Sequence, residues 1–153
     1  MRTVVRSEVE VGAPTDHVWA YVTDWSRQGE WIPLTRVEST DGRQLGGQIR
    51  AWTGLGPIGF WDTMTITSWD PLVGGSARCE VLHTGAVVRG EGEFSVHSRG
   101  SERSTFVWSE ELEVPGGRVG AVAWRLAGPL MQRGVDRALR EMAAQAEKTH
   151  AGR

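Results

Sequence analysis

Three ionisable residues stand in segments whose alternation aims them at an apolar interior. In Phe60-Trp61-Asp62-Thr63-Met64-Thr65-Ile66-Thr67 one face reads Phe60, Asp62, Met64 and Ile66. The other reads Trp61, Thr63, Thr65 and Thr67, which suits a solvated surface. Phe106, Trp108 and Leu112 likewise share a face with Glu110, and Ala77, Cys79 and Val81 share one with His83. His83 falls near its strand end, which predicts a place at the rim. A carboxyl group in a low-dielectric pocket is suited to general acid or base work near neutral pH, and histidine titrates there unaided. Asp62, His83 and Glu110, looking inward from three different strands, form a set able to remove a proton next to a carbonyl and to protonate an oxygen, with no metal and no cofactor. The structural alternative stands beside it: an inward carboxylate also serves to pair an arginine or strand-end amides. A bulge in a long strand would turn any of these side chains outward.

Other residues add binding rather than chemistry. Lys148 is the sole lysine among 17 basic residues, so arginine supplies nearly all positive charge. Arg50 has the planar fork that fixes a ligand carbonyl or carboxylate. Cys79 is the only cysteine, which excludes an internal disulfide and a multi-cysteine metal site and reads as packing. His17 and His150 lack the partners a metal needs. Gly54-Leu55-Gly56-Pro57-Ile58-Gly59 has the letters of a phosphate loop but joins two strands and opens no helix, so it reads as a turn or cavity lip. Gly90, Gly92 and Phe94 share one strand face, where missing side chains let a sheet bend or widen a cavity.

The elements that must hold these residues follow from the periodicity. The first ten residues alternate, with Val5, Ser7, Val9 and Val11 on one face. After Gly12-Ala13-Pro14-Thr15 a short helix carries Val18, Trp19 and Val22, and a second short helical stretch runs from Trp25 to Trp31 before Pro33. Turn signals then divide residues 35 to 114 into six strands, and connections this short make the meander antiparallel. Beyond Pro115-Gly116-Gly117, Val122, Leu126, Leu130, Met131, Val135, Leu139 and Met142 predict a long amphipathic helix over 119–148, kinked or broken at Gly128-Pro129. The fold class is therefore α+β: a curved seven-stranded antiparallel sheet wrapped on a long C-terminal helix. It makes a single domain over 1–148, with a frayed tail at 149–153. A sheet curved around one helix cannot close along its whole length, and the gap is the expected ligand cavity. Its predicted lining is Trp108, Phe106, Met64, Phe60, His83, Arg50, Phe94, Trp124, Leu130 and Met131. Eight of the twelve aromatic residues are tryptophan, with Trp108 and Trp124 placed at the cavity and Trp61 and Trp69 on the outer face or beside the turn. With net charge −2, no basic cluster and no long apolar run, nucleic acid and membrane insertion are not expected as partners. A cytoplasmic monomer or homodimer is expected.

These stretches carry a family resemblance. Val11-Gly12-Ala13-Pro14-Thr15-Asp16-His17-Val18-Trp19, then Asp24-Trp25 and Trp31-Ile32-Pro33, resemble the helix-grip START-like (SRPBCC) superfamily. Thr65-Ile66-Thr67-Ser68-Trp69-Asp70-Pro71, Phe106-Val107-Trp108-Ser109-Glu110-Glu111 and Pro115-Gly116-Gly117 are similar to its later strands and its helix entry, in order along the chain. Within it, small bacterial polyketide cyclase/dehydrase-like proteins look most similar. The resemblance implies a helix-grip fold whose cavity takes a hydrophobic, polyketide- or lipid-like molecule. It leaves three functions open: binding, aromatase/cyclase or dehydratase activity through the inward carboxylates, and resistance by sequestering a reactive natural product.

Overall fold

A computed structural model describes residues 1–153. Strand β1 (Arg2–Val11) leads into helix α1 (Thr15–Val22) and a 3₁₀ helix (Trp25–Glu30). Strands β2 (Thr35–Thr40), β3 (Gln48–Leu55), β4 (Ile58–Val73), β5 (Ser76–Thr84), β6 (Arg89–Ser98) and β7 (Ser104–Glu113) follow, and α2 (Gly117–Ala151) ends the chain. All seven strands form one antiparallel sheet in the order β1-β7-β6-β5-β4-β3-β2. The two helices after β1 carry the chain from one sheet edge to the other. Entry into α2 needs glycine, because Gly116 and Gly117 both take positive φ, 87° and 54°.

The core lies between the concave face of the sheet, α1 and the C-terminal half of α2. Val5, Val11, Trp19, Ile66, Phe106, Leu139 and Met142 are buried there. Polar contacts fasten α2 to the rest. The Gly12 N–H donates to Glu147 Oε1 at 2.8 Å, and Gln132 Nε2 donates to the Arg6 carbonyl at 2.9 Å. His17 Nε2 donates to the Ala146 carbonyl at 2.8 Å.

Four expectations are corrected by the observed packing. Of the kink or break expected at Gly128-Pro129, the break is absent: α2 carries Pro129 inside one helix, since a proline removes a single backbone donor and the turns on either side carry the helix on. The helix also runs through Ala151, with His150 paired to Glu102 at 2.8 Å, so the tail starts at Gly152 rather than at residue 149. The apolar positions of α2 form two stripes, not one. Stepping from Leu130 to Met131 turns about 100° around the axis, so Val122, Leu126 and Leu130 belong to a different side from Met131, Val135, Leu139 and Met142. Only the second stripe meets the sheet, while Val122, Leu126 and Leu130 are 60%, 76% and 65% exposed. Finally, a bulge between Ile66 and Ser68 shifts the β4 register against β5 and swaps the faces beyond it. Trp69 thereby turns inward, opposite Cys79, and its ring meets that of Trp19 at 5.4 Å.

Candidate functional site

A cavity of about 350 Å³ opens between the concave sheet face, the segment around the 3₁₀ helix and the middle of α2. Its walls are mainly apolar and include Trp25, Ile32, Ile49, Phe60, Met64, Val81, Phe94, Trp108, Met131 and Val135. Trp31 packs edge-on against Trp108, ring centres 5.9 Å apart and planes at 86°, and so braces that wall from behind. No arginine or lysine lines the cavity; its charged groups are Asp62, His83, Glu93 and Glu110. Glu93 is already committed to Arg78, at 2.8 Å.

The other three form one hydrogen-bonded cluster. His83 Nδ1 lies 3.0 and 2.9 Å from the two Asp62 oxygens, and His83 Nε2 lies 2.8 Å from Glu110 Oε2. Trp108 Nε1 donates to the remaining oxygen, Glu110 Oε1, at 2.6 Å. Carboxylates accept, so both ring nitrogens of His83 donate and the ring is an imidazolium. Burial alone would lower its pKa; the hydrogen bonds to Asp62 and Glu110 outweigh that and push it up to about 10. Two carboxylates around one imidazolium leave the cluster a single net negative charge. Both Glu110 oxygens have donors, whereas both Asp62 oxygens lean on the same Nδ1–H and retain accepting capacity toward the cavity.

The sheet makes this contact possible through absent side chains. Asp62 comes from β4, His83 from β5 and Glu110 from β7, so the His83–Glu110 bond must pass over β6. Two strand spacings separate β5 from β7, roughly 9.5 Å. The β6 residues opposite His83 and Glu110 are Gly90 and Gly92. A Cβ on Gly92 would stand 2.8 Å from Glu110 Oε2 and 3.0 Å from Oε1, in the space the carboxylate fills. The paired glycines form the trough across which the imidazolium and carboxylate meet.

Of the residues expected to line the cavity, Phe60, Met64, His83, Phe94, Trp108 and Met131 do so, together with Asp62 and Glu110. His83 is interior, 7% exposed, rather than at the rim, because it spans the two carboxylates. Arg50 is on the outer face, its guanidinium 4.3 Å from the centre of the Trp61 ring and 3.8 Å from Glu38. Alternation along β3 sends it there: Ile49 and Ala51 take the inward positions. Phe106 is fully buried behind the lining, its ring 5.1 Å from that of Phe94. Trp124 leans on Gly128 outside the cavity, and Leu130 is on the exposed stripe of α2. The sequence places Trp19, Trp25 and Trp31 in the helix pair at the core or the cavity entrance; Trp25 lines the cavity and Trp31 is buried behind it, whereas nothing in the sequence singles out Ile32 as lining. Their aromatic-rich helical text was visible, but only the fold shows that it closes over the sheet. Burial pushes the Cys79 thiol up to about 12, which suits a packing role.

Comparison with known structures bears on the fold. The chain is similar to the Zhui aromatase/cyclase from Streptomyces sp. R1128, with TM-score 0.76 and 19% identity over 97% of this chain and 95% of that one. It is similar to TTHA0849 from Thermus thermophilus, with TM-score 0.75 and 15% identity over 96% of this chain and 99% of that one. A third likeness is to norcoclaurine synthase from Thalictrum flavum in complex with dopamine and hydroxybenzaldehyde, with TM-score 0.65 and 15% identity over 98% of this chain and 88% of that one. At such identities the likeness establishes the helix-grip fold alone. No curated protein matches the chain in sequence. The family model described as polyketide cyclase / dehydrase and lipid transport matches residues 2–147, and with the seven-stranded sheet gripping α2 this places the chain in that family.

Proposed function

We propose that the protein binds a hydrophobic, aromatic small molecule that is neutral or cationic and donates a hydrogen bond to Asp62. The observation that carries this reading is the carboxylate–imidazolium–carboxylate cluster in an apolar cavity without arginine or lysine. A volume near 350 Å³ lies within the usual ligand range of about 300–1,000 Å³. A ligand carboxylate or phosphate would enter without a cationic partner and beside net negative charge, a costly arrangement. A phenol, enol or amine instead meets the free lone pairs of Asp62. The phenolic amine and aromatic aldehyde held by norcoclaurine synthase are of this chemical type.

Tryptophan fluorescence tests it, since Trp25 and Trp108 both line the cavity. A fused-ring phenol such as 2-naphthol should quench and saturate, and 2-naphthoate of the same size should bind at least about tenfold more weakly. Equal affinity for the two overturns the reading.

A second reading, cyclisation or dehydration of a poly-β-ketone, rests on the free accepting capacity of Asp62. Asp62 would take the proton from the carbon beside a ligand carbonyl, giving an enolate. It would then return that proton to a departing β-hydroxyl, which leaves as water. His83 would hold Asp62 in place and Trp108 would hold Glu110. Asp62→Asn should then lower dehydration of a β-hydroxyketone by about 10²-fold or more. Turnover that survives this change removes Asp62 from the chemistry.

A further inference from the structure

The N-terminal half of α2 has the composition of a buried helix and the exposure of a surface one. From Gly117 to Met131 its only polar side chains are Arg118 and Arg125. Val119, Val122, Leu126 and Leu130 are 80%, 60%, 76% and 65% exposed. At about 100° per residue these four fall within roughly 80° of arc. Trp124, Met131 and Val135 lie on the opposite side, which turns toward the core and the cavity. A helix apolar on its outer side is covered by something in its working state.

Charge identifies what covers it. From Val114 through Val135 there is no carboxylate, and Arg118, Arg125 and Arg133 are exposed. Beyond it Arg137 and Arg140 are balanced by Asp136 and Glu141, so the unbalanced positive charge belongs to the apolar stretch itself. This stretch contributes three positive charges to a chain of net charge −2, leaving −5 for the remainder. A second copy laid on the same stripe across a two-fold axis would set these arginines against their own duplicates. A surface that accepts both leucines and arginines is the interface of an anionic bilayer, where apolar side chains sink to the acyl boundary and guanidinium groups meet headgroup phosphates. No helix of the protein is long and apolar enough to cross a membrane, so the geometry is that of a helix lying on one.

We propose that the outer face of α2 between Val119 and Arg133 docks the protein on anionic membrane surfaces. The inference is independent of the ligand reading, because it uses none of the cavity residues.

Co-sedimentation with vesicles tests it. The wild-type protein should pellet with phosphatidylglycerol-containing vesicles, and pellet less with pure phosphatidylcholine or in high salt. Leu126→Asp with Leu130→Asp, at positions whose exposure leaves the fold untouched, should reduce the bound fraction about tenfold or more. Arg118→Glu with Arg125→Glu should reduce binding to the anionic vesicles alone, while Asp62→Asn should leave it unchanged. Failure to pellet with either vesicle overturns the proposal, as does equal binding to both or retention by the leucine variant. A solution dimer that the leucine variant dissociates also overturns it, by assigning the face to a second copy.

Discussion

His83 governs how the cluster behaves because it is the sole positive charge among the cavity's ionisable groups. Its folded pKa, about 10, exceeds the unfolded value near 6.5. Folding therefore gains from its protonation. That gain is complete below about pH 6.5 and is lost as pH rises through about 10. The thermal midpoint of the wild-type protein should fall between pH 7 and 10 more steeply than that of His83→Gln. Parallel curves for the two proteins would show that the imidazolium is not the stabilising species. At pH 6, His83→Gln leaves Asp62 and Glu110 in the interior without their cation, and a loss of about 3 kcal/mol is expected from denaturant unfolding. Trp108 acts on the same cluster from the other side. Its N–H and ring edge give Glu110 one direction, so the carboxylate is held rather than free to swing into the cavity.

At the scale of elements, strand β6 shows how a missing side chain makes room for the buried cluster. Gly92→Ala places a methyl group where the Glu110 carboxylate sits, and that carboxylate is pinned between His83 and Trp108. The variant should stay folded, lower the His83 pKa by weakening one of its two partners, and weaken ligand binding; NMR titration of the His83 ring reads the first effect directly. An unchanged ring titration would mean that Glu110 has room to move without cost. This element was legible in part. Alternation on β4, β5 and β7 aimed Asp62, His83 and Glu110 inward, because the bulge in β4 falls after Ile66 and leaves residues 58–66 in one register. The same bulge hid the inward turn of Trp69, since nothing in Thr67-Ser68 marks where a pairing slips. What the alternation could not supply was distance. That His83 reaches both carboxylates depends on strand order and on Gly90 and Gly92 lying between, and strand order is a property of the sheet rather than of any one segment. In α2 the apolar spacing looked continuous across Leu130-Met131, but a one-residue step changes the side of a helix, and only packing reveals which stripe meets the sheet.

For the whole molecule, the decisive feature is that one helix serves three surroundings along its length. Its C-terminal half closes the core through Leu139 and Met142, which are 1% and 0% exposed. Its middle lines the cavity through Met131 and Val135, and its N-terminal half faces outward. Stability and ligand affinity should therefore separate along α2. Leu139→Ala empties a fully packed site, and chemical denaturation should show a loss of about 2–5 kcal/mol, with ligand affinity changed only as far as folding fails. Met131→Ala removes a half-buried wall already next to open space, so no new enclosed void forms around it. Its cost should be near 1 kcal/mol, while its ligand affinity changes several-fold, since Met131 only borders the core and also lines the cavity. If the two substitutions instead cost the same stability and alter affinity alike, the cavity is not a compartment distinct from the core. The separation matters for function because a cavity bounded on one side by replaceable, flexible methionine can change its ligand without loss of the fold. The sheet meanwhile keeps the Asp62–His83–Glu110 cluster in register behind it.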